Sequence, residues 1–439
     1  ERIRGAVRRT LAAGEQAQLP ARGLSLRATL PDIPIEPWQE TLEPVIDAAG
    51  RSRTAALSES LGPVSARIRT RQLIFKARSF PDVTLSVRHG QPGQKNSVWE
   101  AELRSPQASG KGLYQPGTGH TPAYLSLDLT RLYIPEESRR RFHKIFSDTP
   151  AERLPSMDVR IGDFKAGGAS LGSISLKARA SDPSLKDHRW RLESFAARLP
   201  EAALTASGQW ERGGASGRSL PSLKGSLVVK DSRRLLKSLD LPSDVVRDAP
   251  GKIELEANWK GAPQDFALRN LNGRLSADIG GGRFMQVEPG VVGRFMSLLS
   301  MQSLMKRLTL DFKDVFGRGF SFNSIKLNGT TTNGVFTTDD LVVDGSAASI
   351  AVSGSVDLAR QSMDAKLLVL PEVHTEAPAL ALALANPLVG VGSFIAQFAL
   401  KKPISYILAT EYTVKGPWDH LSFEKTSAAP SAQNSSAGN

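Results

Sequence analysis

In "SIAVSGSVDL", residues 349–358, two kinds of side chain alternate one for one: Ile350, Val352, Val356 and Leu358 share a parity with Gly354, while Ser349, Ala351, Ser353, Ser355 and Asp357 take the other. Successive side chains of an extended chain point to opposite faces, so this spacing predicts a strand with one apolar face and one face of small polar groups. The period recurs along the chain. "RLTLDF" puts Leu308, Leu310 and Phe312 on one side, and "YILATEYTV" groups Tyr406, Leu408, Tyr412 and Val414. Gly, Pro, Asp and Asn separate these bursts, as turns require. A mainly β chain of half-buried antiparallel strands is expected.

A loose repeat runs through it, in which a strand ends at a turn, a second strand starts with small residues, and a Gly precedes or accompanies a Trp. It is carried by "WRLESFAARLPEAALTASGQW" (190–210), "DDLVVDGSAASIAVSGSVDL" (339–358, without the Trp) and "YTVKGPWD" (412–419). A repeated hairpin that cannot close its own core stacks on its neighbours, so a chain of 439 residues built this way is expected to extend rather than to round up. Helical signals are sparse. "IPEESRRRFHKIF" (134–146) has Pro135 near a first helical position, acids early and bases late. In the segment 289–305, Val292, Phe295, Met296 and Leu299 recur at helical spacing, giving an amphipathic helix that runs into the strand at Leu308. The domain reading is repeated hairpin modules over 1–269, a C-terminal region over 270–426, and a small, polar, patternless tail at 427–439 expected to be disordered.

Chemistry is hard to find. Cysteine is absent, which removes disulfides, thiolate metal sites and a cysteine nucleophile. The histidines at 89, 120, 143, 188, 374 and 420 never fall at metal-ligand spacing. Ser303 and Lys306 match a serine–lysine pattern whose companion elements are missing, and the glycines at 280–282 lack the setting of a dinucleotide loop. Asp339 and Asp340, adjacent on a strand, face opposite ways and cannot act as an acid–base pair. The expectation is a non-enzyme with no metal and no cofactor. A formal net charge of +12 suits an anionic partner such as phospholipid headgroups, but with only 6% aromatic residues and none interleaved regularly with Lys or Arg, nucleic acid is not expected.

Residues 377–400, "APALALALANPLVGVGSFIAQFAL", carry no charge. The run is long enough for a membrane span, but Asn386–Pro387 reads as a helix start and Lys401–Lys402–Pro403 as a stop. The helix so bounded is about 22 Å long against a hydrocarbon core of about 30 Å. Two short apolar helices are expected over 377–401. They plug the end of a groove, dip into the near leaflet of a membrane, or pack against the sheet. The membrane-contact candidates are Leu380, Leu384, Leu388, Val389, Phe394, Ile395 and Phe398. No apolar leader follows "ERIRGAVRRT", so a signal or anchor is expected to lie outside these residues, in a longer protein.

The passages "GRFMQVEPGVVGRFMSLLSMQSL" (282–304), "KRLTLDFKDVFGRGFSFNSIKLNGTTTNGVFTTDDLVVDGSAASIAVSGSVDL" (306–358) and "YTVKGPWD" (412–419) resemble, in order and wording, the C-terminal region of the YhdP-type members of the AsmA-like family of bacterial envelope proteins. "LSLRATLPDIPIEPWQETL" (24–42) and "LPSMDVRIGDFKAGGASLGSISLKARA" (154–180) resemble the family's preceding strand modules more loosely. His420 stands where the family's terminal motif often has Pro. The resemblance implies a Gram-negative periplasmic protein, anchored in the inner membrane by a segment outside this sequence. It implies that phospholipid passes along a groove between inner and outer membranes, supporting the outer-membrane barrier.

The fold class expected from residues and resemblance together is an elongated, twisted antiparallel sheet curled into a groove with one apolar face, plus a few short helices near the C-terminal end. Leu308, Leu310, Phe312, Ile350, Val352, Val356, Leu358, Leu408 and Tyr412 are the candidates to line that groove, with phospholipid as ligand and 377–401 as the contact with the outer membrane. The competing reading is a non-catalytic scaffold or assembly factor for outer-membrane or surface proteins, which would use a sheet edge as a template.

Overall fold

The computed structural model describes residues 4–8, 23–34, 63–75, 78–90, 98–135, 154–185, 187–212, 220–243, 245–285, 319–372, 409–418 and 420–427. The chain is mainly β and divides into two units, one of Glu1–Leu199 with Ser207–Ser219 and Ala262–Gln264, the other of Pro200–Ala206, Leu220–Gly261 and Asp265–Asn439.

In the first unit the strands follow one another in chain order: β1 (Arg4–Arg8), β2 (Gly23–Pro34), β3 (Val64–Phe75), β4 (Arg78–His89), β5 (Trp99–Arg104), β6 (Ala108–Gln115), β7 (Tyr124–Ile134), β8 (Ser156–Ala166), β9 (Ala169–Ala180) and β10 (His188–Arg198). Each pairs with the next, and no described pairing joins the ends, so the sheet is open. The sheet is mixed where antiparallel pairing was expected throughout. β1–β2, β2–β3 and β7–β8 are parallel. The reason lies in the connections: two-residue turns such as Gly167–Gly168 reverse the chain, whereas 9–22, 35–62 and 135–155 are long enough to carry it back to the same end.

β11 (Ala202–Arg212) divides its residues between the units. The second unit continues with β12 (Ser222–Val229), the short helix α1 (Ser232–Ser238), β13 (Val246–Arg247), β14 (Gly251–Asn258), β15 (Asn272–Ile279), β16 (Gly282–Phe284), β17 (Phe320–Thr332), β18 (Val335–Gly345), β19 (Ala348–Asp357), β20 (Ser362–Pro371), β21 (Thr410–Pro417) and β22 (Ser422–Ser427). The described pairs here are all antiparallel. Asn333 and Gly334, with φ of 48° and 80°, form the two-residue turn between β17 and β18; Asn and Gly are the residues that accept this left-handed backbone most readily. α1 was not anticipated. Its signal is Asp231, whose carboxylate accepts the Arg234 backbone N–H at 2.9 Å and caps the helix.

Of the tryptophans in the loose repeat, Trp210 and Trp418 are buried and Trp190 is half-buried; Trp259, which that repeat did not include, is buried as well. The helices expected at 289–305 and 377–401 lie outside the described residues, as does 134–146 apart from Ile134 and Pro135 and the tail apart from Ser427. Among the described residues no helix is long and apolar enough to cross a membrane.

Candidate functional site

Strand register aligns the faces across the first unit. One row runs Leu26, Ala66, Val87, Ala101, Gly112, Leu127, Val159, Leu176 and Phe195, from β2 to β10, without a polar side chain. The neighbouring row, one pleat along, includes Ile68, Leu85, Leu103, Leu129 and Ile174. All of these are half-buried, whereas Ile161 and Ala197, which share the second row, are buried. A Leu or Val fully withdrawn from water contributes about 1.5–3 kcal/mol, and half-burial forfeits a large share of that at each position. This is an apolar lane, not a core.

The lane has a distinct rim. Beyond Ala101 and Gly112 the next row places His89, Trp99 and Tyr114 side by side. His89 stacks on Trp99 with ring centroids 4.2 Å apart, while Trp99 and Tyr114 remain 40% and 42% exposed. Large rings with a polar tip suit a boundary between grease and water.

The opposite face of the same strands is charged. Its row runs Arg27, Arg67, Ser86, Glu102, Lys111, Asp128 and Arg160. Arg104 donates to Glu102 at 2.6 Å, and this hydrogen bond with the guanidinium charge holds the Glu102 carboxyl below its ordinary value. At Asp158, burial pushes the carboxyl up, but hydrogen bonds from the Tyr124 hydroxyl (2.9 Å) and Arg179 (3.1 Å) outweigh it and leave the group below its ordinary value. Water therefore meets one face, and the other is left greasy and open.

The second unit has an apolar face of its own, which begins open and ends packed. Leu227, Ile253, Ala277 and Leu327 form a half-buried row across β12, β14, β15 and β17. One pleat along, Ile279 and Ile325 are half-buried, and then Val343, Ile350 and Val369 in the same row are at most 3% exposed. Phe320, Phe322, Leu367, Tyr412 and Val414 complete that buried cluster.

Of the groove-lining candidates, Ile350 and Tyr412 thus sit inside a filled cluster, each 3% exposed, and Val352 packs against it. Val356 and Leu358 are half-buried, with Val356 opposite Met363. Leu308, Leu310, Phe312 and Leu408, with the membrane-contact candidates Leu380, Leu384, Leu388, Val389, Phe394, Ile395 and Phe398, lie outside the described residues. Ser349 and Ala351, on the face of small polar groups, are fully buried. Their cross-strand partners Leu370 and Leu368 are buried with them, so "LLVL" (367–370) is enclosed on both faces, as a continuous apolar run should be. The Ser349 hydroxyl donates to Asp344 at 3.0 Å, which removes the cost of burying it.

The best-formed part of the lane, on β7 to β9, was not among the candidates. Its signal was present in "YLSLDL" (124–129) and "SISLKA" (173–178), which alternate as clearly as "SIAVSG".

Comparison with known proteins places this architecture. A sequence model described as "YhdP protein" matches residues 4–420. The chain belongs to the YhdP family. Among curated YhdP proteins, the "Intermembrane phospholipid transporter YhdP" of Escherichia coli (strain K12) is 31% identical over 265 residues. That match covers 60% of this chain and 20% of the relative, so the chain spans only a part of the length of the YhdP protein it matches. No solved structure matches the chain.

Proposed function

We propose that the chain is one stretch of an intermembrane phospholipid path, in which acyl tails lie on the apolar lane and headgroups stay in water beyond its rim. The observation that carries this reading is a row of nine half-buried residues, one on each of nine consecutive strands and none with a polar side chain, backed by a charged opposite face. The relative's name, intermembrane phospholipid transporter, supplies the ligand class. Its Escherichia coli source suggests a Gram-negative envelope, with the periplasm as the aqueous compartment between the two membranes.

The energetics suit passive conduction. Taking a lipid tail through water costs about 0.8 kcal/mol per exposed methylene, so two long chains meet a barrier of roughly 20 kcal/mol. A continuous apolar surface removes most of it and needs no catalytic group. Within the second unit the packed cluster around Ile350 and Tyr412 fills the apolar face, so tails have room there on β12 to β15 and not between β18 and β21. Residues 377–401, with Leu388 and Phe394 at their centre, are proposed as the contact with the outer membrane, and the inner membrane is reached through a segment outside this sequence. In this role the protein supports the outer-membrane barrier.

Mass spectrometry of the chain purified under native conditions tests the ligand. Phospholipid should copurify in stable association, and stripping it should leave a folded protein that takes it up again from vesicles. A chain that carries none and acquires none is a scaffold, and the proposal fails.

A further inference from the structure

The charged face of β2, β3 and β4 is not a balanced one. In parallel register Arg27 stands directly opposite Arg67, and Arg69 lies two residues further along β3. Like charges directly opposite one another destabilise a sheet. Elsewhere the chain separates or neutralises such charges: Arg104 takes Glu102, Lys224 takes Glu256 at 2.7 Å, and Arg189 lies 3.4 Å from Glu211. Arg27, Arg67 and Arg69 are exposed and have no carboxylate partner among the described residues. On this part of the face their neighbours are Thr29, Ser65, Thr84, Ser86 and Arg88, the last 3.8 Å from Glu100 of β5; the described acids of β2 to β4, Asp32 and Asp82, stand at the far end.

We propose that this arginine row is a docking surface for an anionic membrane, engaging the phosphodiester groups of lipid headgroups. Arginine presents a planar fork of donors that matches phosphate. Parallel register repeats that fork at the strand spacing of about 4.8 Å along a line. A protein partner would need an apolar or aromatic anchor, and a single-stranded nucleic acid would need stacking rings; this part of the face offers neither among the described residues. A charged bilayer surface needs only unneutralised cations. The surface lies on the face away from the apolar lane, so this inference does not rest on lipid conduction.

The test is partition of the 439-residue chain between buffer and vesicles. One set is phosphatidylcholine alone, the other equimolar phosphatidylcholine and phosphatidylglycerol. Wild type should favour the anionic set, and salt of about 1 M should abolish the preference. The triple variant Arg27→Gln, Arg67→Gln, Arg69→Gln should lose roughly 100-fold in partition to the anionic set. The matched variant Arg104→Gln, Arg189→Gln, Lys252→Gln removes the same net charge from ion-paired positions and should lose less than about threefold. Circular dichroism and a urea midpoint no lower than wild type would establish that the first variant folds, as relief of like-charge contact requires. Equal losses in the two variants would overturn the proposal, and so would a wild type that does not distinguish the vesicles, or one that binds an acidic peptide and no vesicle.

Discussion

Replacing Phe320 by Ala should lower the stability of the second unit by about 3–5 kcal/mol, seen as a fall in its urea midpoint. The side chain is 1% exposed and lies opposite Phe284 across the β16–β17 pair. Its ring occupies the space above Gly345, where no Cβ would fit. Truncation removes a fully buried aromatic ring of the cluster and leaves a void against a glycine that cannot fill it, so collapse is limited and the upper part of the range is expected. Leu367→Ala, buried at 2% between Val352 and Tyr412, should cost about 2–5 kcal/mol by the same argument. A loss below about 1 kcal/mol for both would show that the cluster around Ile350 is not a packed core.

The opposite signature is expected in the first unit. Leu127→Glu should leave folding nearly intact, at a cost of about 1 kcal/mol, because the side chain is only half-buried and lies outside any packed cluster. Its effect on lipid should be large. A tail resting on the row from Ala101 to Phe195 would have to strip water from the new carboxylate, a penalty of several kcal/mol for an ion without a partner. Copurified phospholipid should therefore fall at least about tenfold, since each 1.4 kcal/mol is a factor of ten. Ser126→Glu, one residue away on the charged face, should leave lipid content unchanged. Equal lipid in wild type and Leu127→Glu at equal stability would remove the lane from the path.

These two signatures also show what the sequence could and could not convey. The alternation that placed Ile350, Val352, Val356 and Leu358 on one face was legible, and the register bears it out: they align with Val369, Leu367 and Met363 on one side of β20 or close the strand. Whether such a face is a lane or a core was not legible, because "YLSLDL" and "SIAVSG" alternate alike. The difference lies in the side chains packed around them, which come from far away in sequence: Tyr412 comes beside Leu367, and Phe284 beside Phe320. The burial of Ser349 and Ala351 was hidden for a related reason. Small residues say little about their surroundings, and it is Leu368 and Leu370 across the ladder that decide them. Parallel pairing at β2–β3 and β7–β8 was likewise beyond a local reading, since it depends on the length and path of connections rather than on strand composition. The arginine row is visible only once register is known, for Arg27 and Arg67 are forty residues apart.

The most direct test of the lane is photocrosslinking in cells along β7 and β8, with the reactive side chain placed in turn at Ser126, Leu127, Asp128, Leu129, Asp158 and Val159. The probes belong here rather than at Ser349 to Val352, where Ser349, Ile350 and Ala351 are closed off from any ligand. Phospholipid adducts should form at Leu127, Leu129 and Val159, and should be absent at Ser126, Asp128 and Asp158. Adducts at both parities, or at neither, would contradict a one-sided apolar lane that carries lipid.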